Sequence, residues 1–274
     1  MTIDDKLLKL RRIIEECGSL AVAFSGGVDS SFLLKTAHEV LGEKVLAITV
    51  DSVFIPRTEI ESAINFCQQH GIPQRIVSID VLDIAGVKEN PPDRCYHCKR
   101  GIFERMLAAA AEEKIAVIAE GSNLDDEGDY RPGMRAIREL SVRSPLKEAG
   151  LNKAEIRELS KRMGLDTWDK PSMACLASRV PYGEKLSCEK LHRVELAEQL
   201  LHSFGLRQCR VRCHGTLARI EVPPDDYHLI MNADVRKKIV DSFKQYGFTY
   251  VSLDLEGFRS GSMNETLNSK NSHA

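Results

Sequence analysis

A glycine-rich turn between an apolar run and a helical pattern offers the first chemistry in this chain. Residues 25–30 read Ser-Gly-Gly-Val-Asp-Ser and follow the apolar run at 20–24. The two glycines permit a tight turn and a close backbone approach, and amides at the start of the next helix are unpaired donors for an anion. A carboxylate repels a phosphate chain unless a cation separates them, so the aspartate indicates Mg²⁺. The candidate nucleotide ligands are Ser25, Gly26, Gly27, Asp29 and Ser30.

Three cysteines provide a second candidate site. Cys95 and Cys98 form a Cys-x-x-Cys at the mouth of a predicted helix, and Cys175 lies in a loop rich in Pro, Ser and Arg. Three thiolates on a [4Fe-4S] cluster leave one iron open for a substrate or a sulfide. Structural zinc, a redox dithiol and ordinary reduced cysteines remain alternatives, because sequence does not distinguish iron from zinc on thiolates. The pattern favours the cluster, and the other five cysteines fit helix faces or strands as ordinary thiols.

The elements that position these residues alternate between strand and helix. The predicted helices lie at 5–17, 29–41, 59–70 and 99–114, and the predicted strands lie at 20–24, 45–50, 75–79 and 115–119. This alternation predicts an α/β fold with a parallel sheet covered by helices. Helix starts are expected near Thr58 and Asn152, and helix ends at Gly42, Gly71 and Gly164.

Ligands in such a fold collect at the carboxyl ends of the strands. Ser52 and the segment 120–126 follow predicted strands, so they join the candidate nucleotide site. Gly121 and Asp125 are the chosen ligands of that segment, although a helix cap and turn would explain the polar residues equally well. Arg143, just before Ser-Pro, is expected to meet the phosphates.

A second pattern begins after Trp168. It predicts a helix at 188–204, strands at 208–213 and 217–222, a helix at 232–246 and a strand at 248–253. The expected organisation is therefore a domain at 1–169, a smaller α+β substrate domain at 170–265 and a flexible polar tail at 266–274.

Composition narrows the class of partner. The formal net charge is −2 and the isoelectric point is near 6.5, which argues against a chain dedicated to nucleic acid and favours small substrates. Neither a membrane-length apolar run nor a signal peptide is visible. We therefore expect a cytoplasmic protein with reduced cysteines, no nucleic-acid or membrane partner, and a homo-oligomeric assembly.

The motifs together resemble one family. The turn at 25–30 has no Walker lysine and resembles the pyrophosphate loop of PP-loop ATP pyrophosphatases. The longer combination resembles the LarE family, the ATP-dependent sulfur transferases of nickel-pincer cofactor synthesis for lactate racemase. The matching segments are 25–30, Asp129–Gly133 with Arg131, Arg143–Leu146, Ser178–Gly183, Arg210–Arg212, Ala218–Glu221 and Leu253–Gly261.

The resemblance implies an activity and a set of ligands. It implies that ATP and Mg²⁺ activate a carboxylate of pyridinium-3,5-biscarboxylate mononucleotide, that pyrophosphate leaves, and that the acyl adenylate becomes a thiocarboxylate. It also implies that Ser178, Arg210, Arg212, Glu198 and Glu221 bind this substrate. Two arginines two apart on a strand point to one face, which suits a phosphate. Some members of the family sacrifice a cysteine sulfur, and others hold a three-cysteine cluster; this chain is similar to the latter, with Ala174 at the sacrificial position.

Three rival functions stay open. A PP-loop tRNA thiolase also uses three cysteines, but no RNA-binding module is visible. Amidating enzymes such as NAD or GMP synthetases have no use for three converging thiols. A non-catalytic, nucleotide-regulated metal or cluster carrier would bind ATP without releasing pyrophosphate. Cys175 as a direct sulfur donor remains a variant of the favoured function.

Overall fold

The strands of the first half form one parallel sheet, as the α/β prediction requires. The computed structural model describes residues 1–127, 132–259 and 261–264. The sheet order is β3-β2-β1-β4, and every pair is parallel. Its strands are β1 (Leu20–Ala23), β2 (Val45–Asp51), β3 (Gln74–Ser78) and β4 (Ile118–Ala119). The predicted fold class is confirmed.

Seven helices accompany this sheet among the described residues. They are α1 (Ile3–Glu15), α2 (Val28–Leu41), α3 (Arg57–His70), α4 (Arg94–Glu112), α5 (Pro132–Glu139), α6 (Pro145–Ala149) and α7 (Lys153–Arg162). Alternate residues of β1 enter two hydrophobic clusters: Leu20 and Val22 pack with α1 and α2, and Ala21 packs with α4. A parallel sheet buried on both faces explains why its strands read as continuous apolar runs.

A smaller sheet follows in the last third of the chain. It has the order β5-β6-β7, with the first pair antiparallel and the second parallel. The strands are β5 (Arg210–His214), β6 (Leu217–Glu221) and β7 (Tyr250–Leu253), and the helices are α8 (Cys188–Ser203), α9 (Tyr227–Met231) and α10 (Ala233–Gln245).

The chain divides into two compact units. The first comprises Met1–Ile84 and Cys95–Met173, and the second comprises Ala85–Arg94 and Ala174–Ala274. Hydrogen bonds explain why the short segment belongs to the second unit. The side chain of Asn90 donates to the carbonyl of Pro181 at 2.7 Å, and the backbone N–H of Gly183 donates to the carbonyl of Asn90 at 2.8 Å.

Local signals predicted some helix ends and missed others. Asn152 caps α7 as predicted, and Gly42 and Gly71 lie at the ends of α2 and α3. The start predicted at Thr58 is wrong, because α3 begins at Arg57 after Pro56 without a side-chain cap. Helix α4 begins five residues earlier than the predicted 99, so the Cys-x-x-Cys lies in its first turns.

Two expectations lie outside the described residues. These are the turn that holds Asp129 and Arg131, and the tail at 266–274. Among the helices of the described ranges, none is long and apolar enough to cross a membrane.

Candidate functional site

A cavity of about 660 Å³ opens in the first unit, where β1, β2 and β4 end. Ligand pockets commonly span roughly 300–1,000 Å³, so its size suits a nucleotide. One part of the wall is apolar and includes Val50, Ile55, Ile102, Phe103 and Met106. The polar part includes Ser25, Gly27, Asp29, Ser30, Lys99, Glu120–Asn123, Asp125, Asp126 and Lys153.

The glycine-rich turn forms one rim of this cavity. Gly26 has a φ of 70°, which side-chain-bearing residues rarely adopt, and Gly27 precedes α2 without a side-chain cap. The hydroxyls of Ser25 and Ser30 lie 3.0 Å apart. The first amides of α2 therefore remain available to an anion, beside two hydroxyl groups.

Lys170 contacts this turn through a hydrogen bond. Its ammonium donates to the carbonyl of Gly26 at 3.1 Å and pairs with Glu59 at 2.7 Å. This hydrogen bond ties the turn to Lys170 through the carbonyl of Gly26.

Gly121 brings the end of β4 against the start of α2. A Cβ at this position would lie 3.1 Å from the backbone nitrogen of Ser30 and 3.3 Å from the Cβ of Asp29. Both distances are tighter than ordinary contact, so a larger residue would push the two segments apart. The predicted ligand Gly121 thus allows the close approach of the two segments because it has no side chain.

Asp29 and Lys153 face each other across the cavity wall. The lysine ammonium lies 2.5 Å from the Asp29 carboxylate, and the side-chain amide of Asn123 donates to the same carboxylate at 3.4 Å. The backbone N–H of Lys153 donates to Asp125 at 2.9 Å. Lys153 is therefore a cation held at the site, although the turn itself contains none.

The polar segment after β4 is tied together internally. Asn123 accepts a hydrogen bond from the amide of Asp125, and Asp126 accepts one from the amide of Asn123, both at 2.9 Å. Ser122 donates to Glu120 at 2.7 Å. These are the contacts of a cap and turn, and the same residues also line the cavity.

The second unit gathers buried charges around β5. Arg179 is fully buried, and Arg210, Arg212, Glu198 and Glu221 are each less than one-tenth exposed. Arg179 donates to both oxygens of Glu198 at 2.9 Å. Burial is the largest influence on the pKa of Arg179 and would lower it, but the charge of Glu198, its hydrogen bonds to Arg179 and the nearby thiols together raise the pKa.

Two further arginines occupy the same face of β5. Arg212 pairs with Glu221 at 2.7 Å and donates to the carbonyl of Ser178 at 3.0 Å. Burial, followed by repulsion from Arg179, lowers the pKa of Arg210 to about 10. Arg219 joins this cluster, because it pairs with Glu221 at 3.1 Å and with the buried carboxylate of Asp254 at 2.7 Å. The second unit therefore contains a network of buried arginines and carboxylates around β5.

Comparisons with known proteins identify the family. The NAD synthase family model matches residues 3–99. An uncharacterized protein of Synechocystis sp. is 40% identical over 97% of this chain and 99% of its own length. The pyridinium-3,5-bisthiocarboxylic acid mononucleotide synthase of Lactiplantibacillus plantarum is 36% identical over 97% of this chain and 96% of its own length. The chain belongs to this synthase family. A glutamine-hydrolyzing GMP synthase chain of Methanococcus maripaludis is 29% identical over 60% of this chain and 55% of its own length.

The three candidate cysteines belong to different units. Cys95 and Cys98 lie one turn apart on α4 in the first unit, and Cys175 belongs to the second unit. All eight cysteines are described and none forms a disulfide. Within the described residues, no three His, Cys, Asp or Glu side chains form a group that could hold a metal ion. The thiols have the right chemistry for iron, so a cluster on these three cysteines stays a prediction.

Helix α5 packs closely against the Cys-x-x-Cys of α4. A Cβ on Gly133 would lie 2.7 Å from a side-chain carbon of Lys99 and 3.3 Å from the carbonyl oxygen of Cys95. Tyr96 donates to Glu139 at 2.7 Å, and the guanidinium of Arg135 lies 3.6 Å from the Tyr96 ring centre. The turn between the two cysteines is thereby fixed from one side.

The remaining cysteines behave as ordinary thiols. Burial raises the pKa of Cys67 and of Cys209 to about 12, so both stay protonated at neutral pH. Cys188 is exposed at the start of α8.

A single carboxylate is compatible with Mg²⁺ in the nucleotide cavity. At nucleotide sites this ion is bound by one or two carboxylates together with phosphate oxygens and water, so Asp29 fits that role without a three-ligand cage.

Three predicted nucleotide ligands do not line the cavity among the described residues: Gly26, Ser52 and Arg143. Ser52 is buried, and its hydroxyl accepts from the amide of Phe54 at 3.4 Å. Arg143 forms an ion pair with Glu148 and donates to the sulfur of Cys17 at 3.6 Å. As placed, both serve local structure, and their role toward ATP stays a prediction.

Sequence reasoning missed Lys153, Lys170 and Arg179. A lone lysine after a helix cap, or an arginine inside a matching motif, carries no local signal of its partners. The start of α7 after Asn152 could have drawn attention to Lys153, because it points to a helix start near the strand ends.

Proposed function

We propose that this chain is an ATP-dependent sulfur transferase that adenylates a carboxylate of pyridinium-3,5-biscarboxylate mononucleotide and converts it to a thiocarboxylate. The similarity to the bisthiocarboxylic acid mononucleotide synthase over nearly the whole chain carries the proposal. The nucleotide-sized cavity with its glycine-rich rim supports the ATP-dependent step.

ATP would use both parts of the cavity wall. Its phosphates would accept hydrogen bonds from the first amides of α2 and from Ser25 and Ser30. The adenine would contact the apolar wall that includes Val50 and Phe103.

Asp29 is the proposed Mg²⁺ ligand. When bound, Mg²⁺ would neutralise charge on the departing pyrophosphate. Because Asp29 can no longer pair fully with Lys153 once it binds a cation, the ammonium of Lys153 is free to turn to the phosphates. The lysine would thus supply a charge that a Walker loop supplies from within the loop itself.

The second unit would hold the phosphate of the mononucleotide. Support comes from the cluster of buried arginines around β5 and from one buried donor without a partner among the described residues. The Nε of Arg212 is buried and has no hydrogen-bond partner among the described residues. A buried donor without a partner costs roughly 1–3 kcal/mol, which an anionic ligand would offset.

The proposed reaction has two steps. A carboxylate oxygen attacks the α-phosphorus of ATP and pyrophosphate leaves; a sulfur nucleophile then attacks the acyl carbon and AMP leaves with that oxygen. Adenylation is needed because a free carboxylate repels a nucleophile and has no good leaving group. The sulfur must come within about 3–3.5 Å of the acyl carbon.

The sulfur source is the finer part of the proposal. A [4Fe-4S] cluster on Cys95, Cys98 and Cys175 would supply a transferable sulfide at its open iron. In the alternative, the thiolate of Cys175 displaces AMP to form a thioester, and loss of its α-proton with cleavage of the Cβ–Sγ bond releases the thiocarboxylate and leaves dehydroalanine at position 175. We also propose a cytoplasmic location, since both cluster and thiols need reducing conditions. A homo-oligomeric assembly is a separate part of the proposal.

One experiment tests this function. Anaerobically reconstituted protein is mixed with Mg-ATP and the biscarboxylate mononucleotide, and pyrophosphate and product mass are measured alongside the Mössbauer spectrum. The expected result is substrate-dependent pyrophosphate and a product in which sulfur replaces a carboxylate oxygen. ATP binding without pyrophosphate release would instead indicate a non-catalytic carrier.

A further inference from the structure

The main chain at Cys175 is held by an unusual number of donors. Cys175 precedes a short 3₁₀ helix, Leu176–Arg179. Its carbonyl accepts from the backbone N–H of Ser178 at 3.0 Å, from the hydroxyl of Ser178 at 2.8 Å and from a guanidinium nitrogen of Arg179 at 3.1 Å. The same guanidinium nitrogen donates to the carbonyl of Ala174 at 2.7 Å.

The opposite edge of that guanidinium is fixed by Glu198. Both oxygens of this carboxylate accept from Arg179, and one of them also accepts from the backbone N–H of Val211 at 2.9 Å. Both oxygens of Glu198 therefore have partners within the chain. The hydroxyl of Ser178 has one proton, and it donates that proton to the carbonyl of Cys175.

We propose that Arg179 is a positioning residue that fixes the main chain of Ala174 and Cys175, and that Glu198 acts only through Arg179. The proposal rests on the proposed function, because it gives Cys175 a part in sulfur transfer. It replaces a direct substrate contact of Glu198 with an indirect one.

The carbonyls near the far end of the 3₁₀ helix have hydrogen-bond donors other than Arg179. Arg94 donates to the carbonyl of Ala177 at 3.1 Å, and Arg212 donates to the carbonyl of Ser178 at 3.0 Å. Those two carbonyls keep their partners whatever happens at position 179. Loss of the Arg179 fork would therefore loosen the segment at Cys175 and spare the far end of the helix.

Lysine cannot replace this arginine. A guanidinium reaches the carboxylate with one edge and the two carbonyls with the other, whereas an ammonium is a single point on a flexible stem. Arg179→Lys keeps the buried charge beside Glu198, so it avoids an uncompensated buried carboxylate.

A double-mutant cycle tests whether Glu198 acts through Arg179. Arg179→Lys and Glu198→Asp are each expected to lower kcat for thiocarboxylate formation by about 10- to 100-fold, from misplacement of the sulfur. The KM for the mononucleotide should stay within about twofold, and the double variant should be no slower than the slower single variant. Multiplying losses would contradict an action of Glu198 through Arg179, and a raised KM in Glu198→Asp alone would indicate a direct contact of Glu198 with the substrate.

Alkylation provides a readout that needs no activity. Iodoacetamide labelling of the intact apo-protein is followed at Cys175 and at the exposed Cys188 by peptide mass spectrometry. We expect Arg179→Lys and Glu198→Asp to raise the ratio of Cys175 to Cys188 labelling severalfold. Arg193→Lys is the matched control, because Arg193 holds the carbonyl of Gly247 at 2.9 Å elsewhere in the same unit.

The two proposals can fail separately. An unchanged labelling ratio in both folded variants would overturn the positioning role, whatever the wild-type activity. Absence of pyrophosphate and product from the wild type would overturn the proposed function, and the labelling ratio would still decide the role of Arg179. If Arg179→Lys does not fold, Glu198→Asp carries the same test.

Discussion

At the scale of single residues, Lys153 provides the positive charge that the nucleotide turn lacks. The turn contains one carboxylate and no cation of its own. Lys153 supplies a positive charge from α7 and lies 2.5 Å from the Asp29 carboxylate. Both groups line the same cavity, so one lysine can neutralise Asp29 before ATP binds and contact phosphate afterwards.

Lys153→Ala should weaken Mg-ATP binding. A hydrogen bond to a charged group contributes about 1.5–3 kcal/mol, so we expect a Kd increase of about 10- to 100-fold. Isothermal titration calorimetry measures it. Lys161→Ala, on the same helix but stacked on Trp168, should bind Mg-ATP like the wild type. Equal affinities for the two variants would remove Lys153 from the site.

At the scale of elements, α7 is the helix that presents Lys153, and its start is well secured. Asn152 and Glu155 form a reciprocal capping box with hydrogen bonds of 2.9 and 3.0 Å. Glu155 also pairs with Lys6 of α1 at 2.7 Å. Burial would raise the pKa of Glu155, but the bonds from Lys6 and Asn152 lower it below the ordinary value of 4.5.

This pKa shift predicts a pH-dependent contribution to stability. A carboxyl group with a lowered folded-state pKa stabilises the fold above its unfolded pKa, and the contribution is lost as pH falls through the folded pKa. Glu155→Gln keeps the capping box but loses the ion pair. We expect it to lower the unfolding free energy by about 1 kcal/mol at pH 7, with the difference shrinking below about pH 4.

Urea denaturation of the wild type and of Glu155→Gln, at pH 7 and below about pH 4, measures this difference in unfolding free energy. Glu158→Gln is the control, since Glu158 pairs with Arg162 on the exposed face of the same helix. Its effect should stay below about 0.5 kcal/mol. A Glu155→Gln difference that grows toward acid pH would contradict the assignment of sign.

Sequence reasoning predicted the features that depend on neighbouring residues and missed those that depend on residues distant in the chain. The turn at 25–30 and strand β1 were predictable, because glycines, a helix start and an apolar run are local signals. The start of α4 at Arg94 was not, since a Cys-x-x-Cys after two prolines looks like a loop. Lys153 and Arg179 gain their roles from residues 124 and 19 positions away, and no local pattern encodes such partners.

At the scale of the whole molecule, the proposed chemistry draws on both units. The nucleotide cavity belongs to the first unit with Cys95 and Cys98, and the buried arginines around β5 belong to the second with Cys175. The domain limits at residues 169 and 265 stay a proposal.

Substitution of one cysteine should separate the two steps. Because the cavity lining includes none of the three cysteines, Cys95→Ala and Cys175→Ala should bind Mg-ATP like the wild type. Both should lose thiocarboxylate formation, which mass spectrometry of the product detects. Cys188→Ala should keep full activity. If a folded Cys175→Ala variant loses affinity for Mg-ATP, the assignment of Cys175 to sulfur transfer alone is contradicted.

Isotope transfer tests the central claim most directly. The biscarboxylate mononucleotide is labelled with ¹⁸O in its carboxylates and turned over with unlabelled Mg-ATP and water. If the carboxylate is adenylated and sulfur then displaces AMP, each AMP formed with a thiocarboxylate carries one ¹⁸O atom. AMP without the label, in a reaction that still yields thiocarboxylate, would contradict the adenylation step.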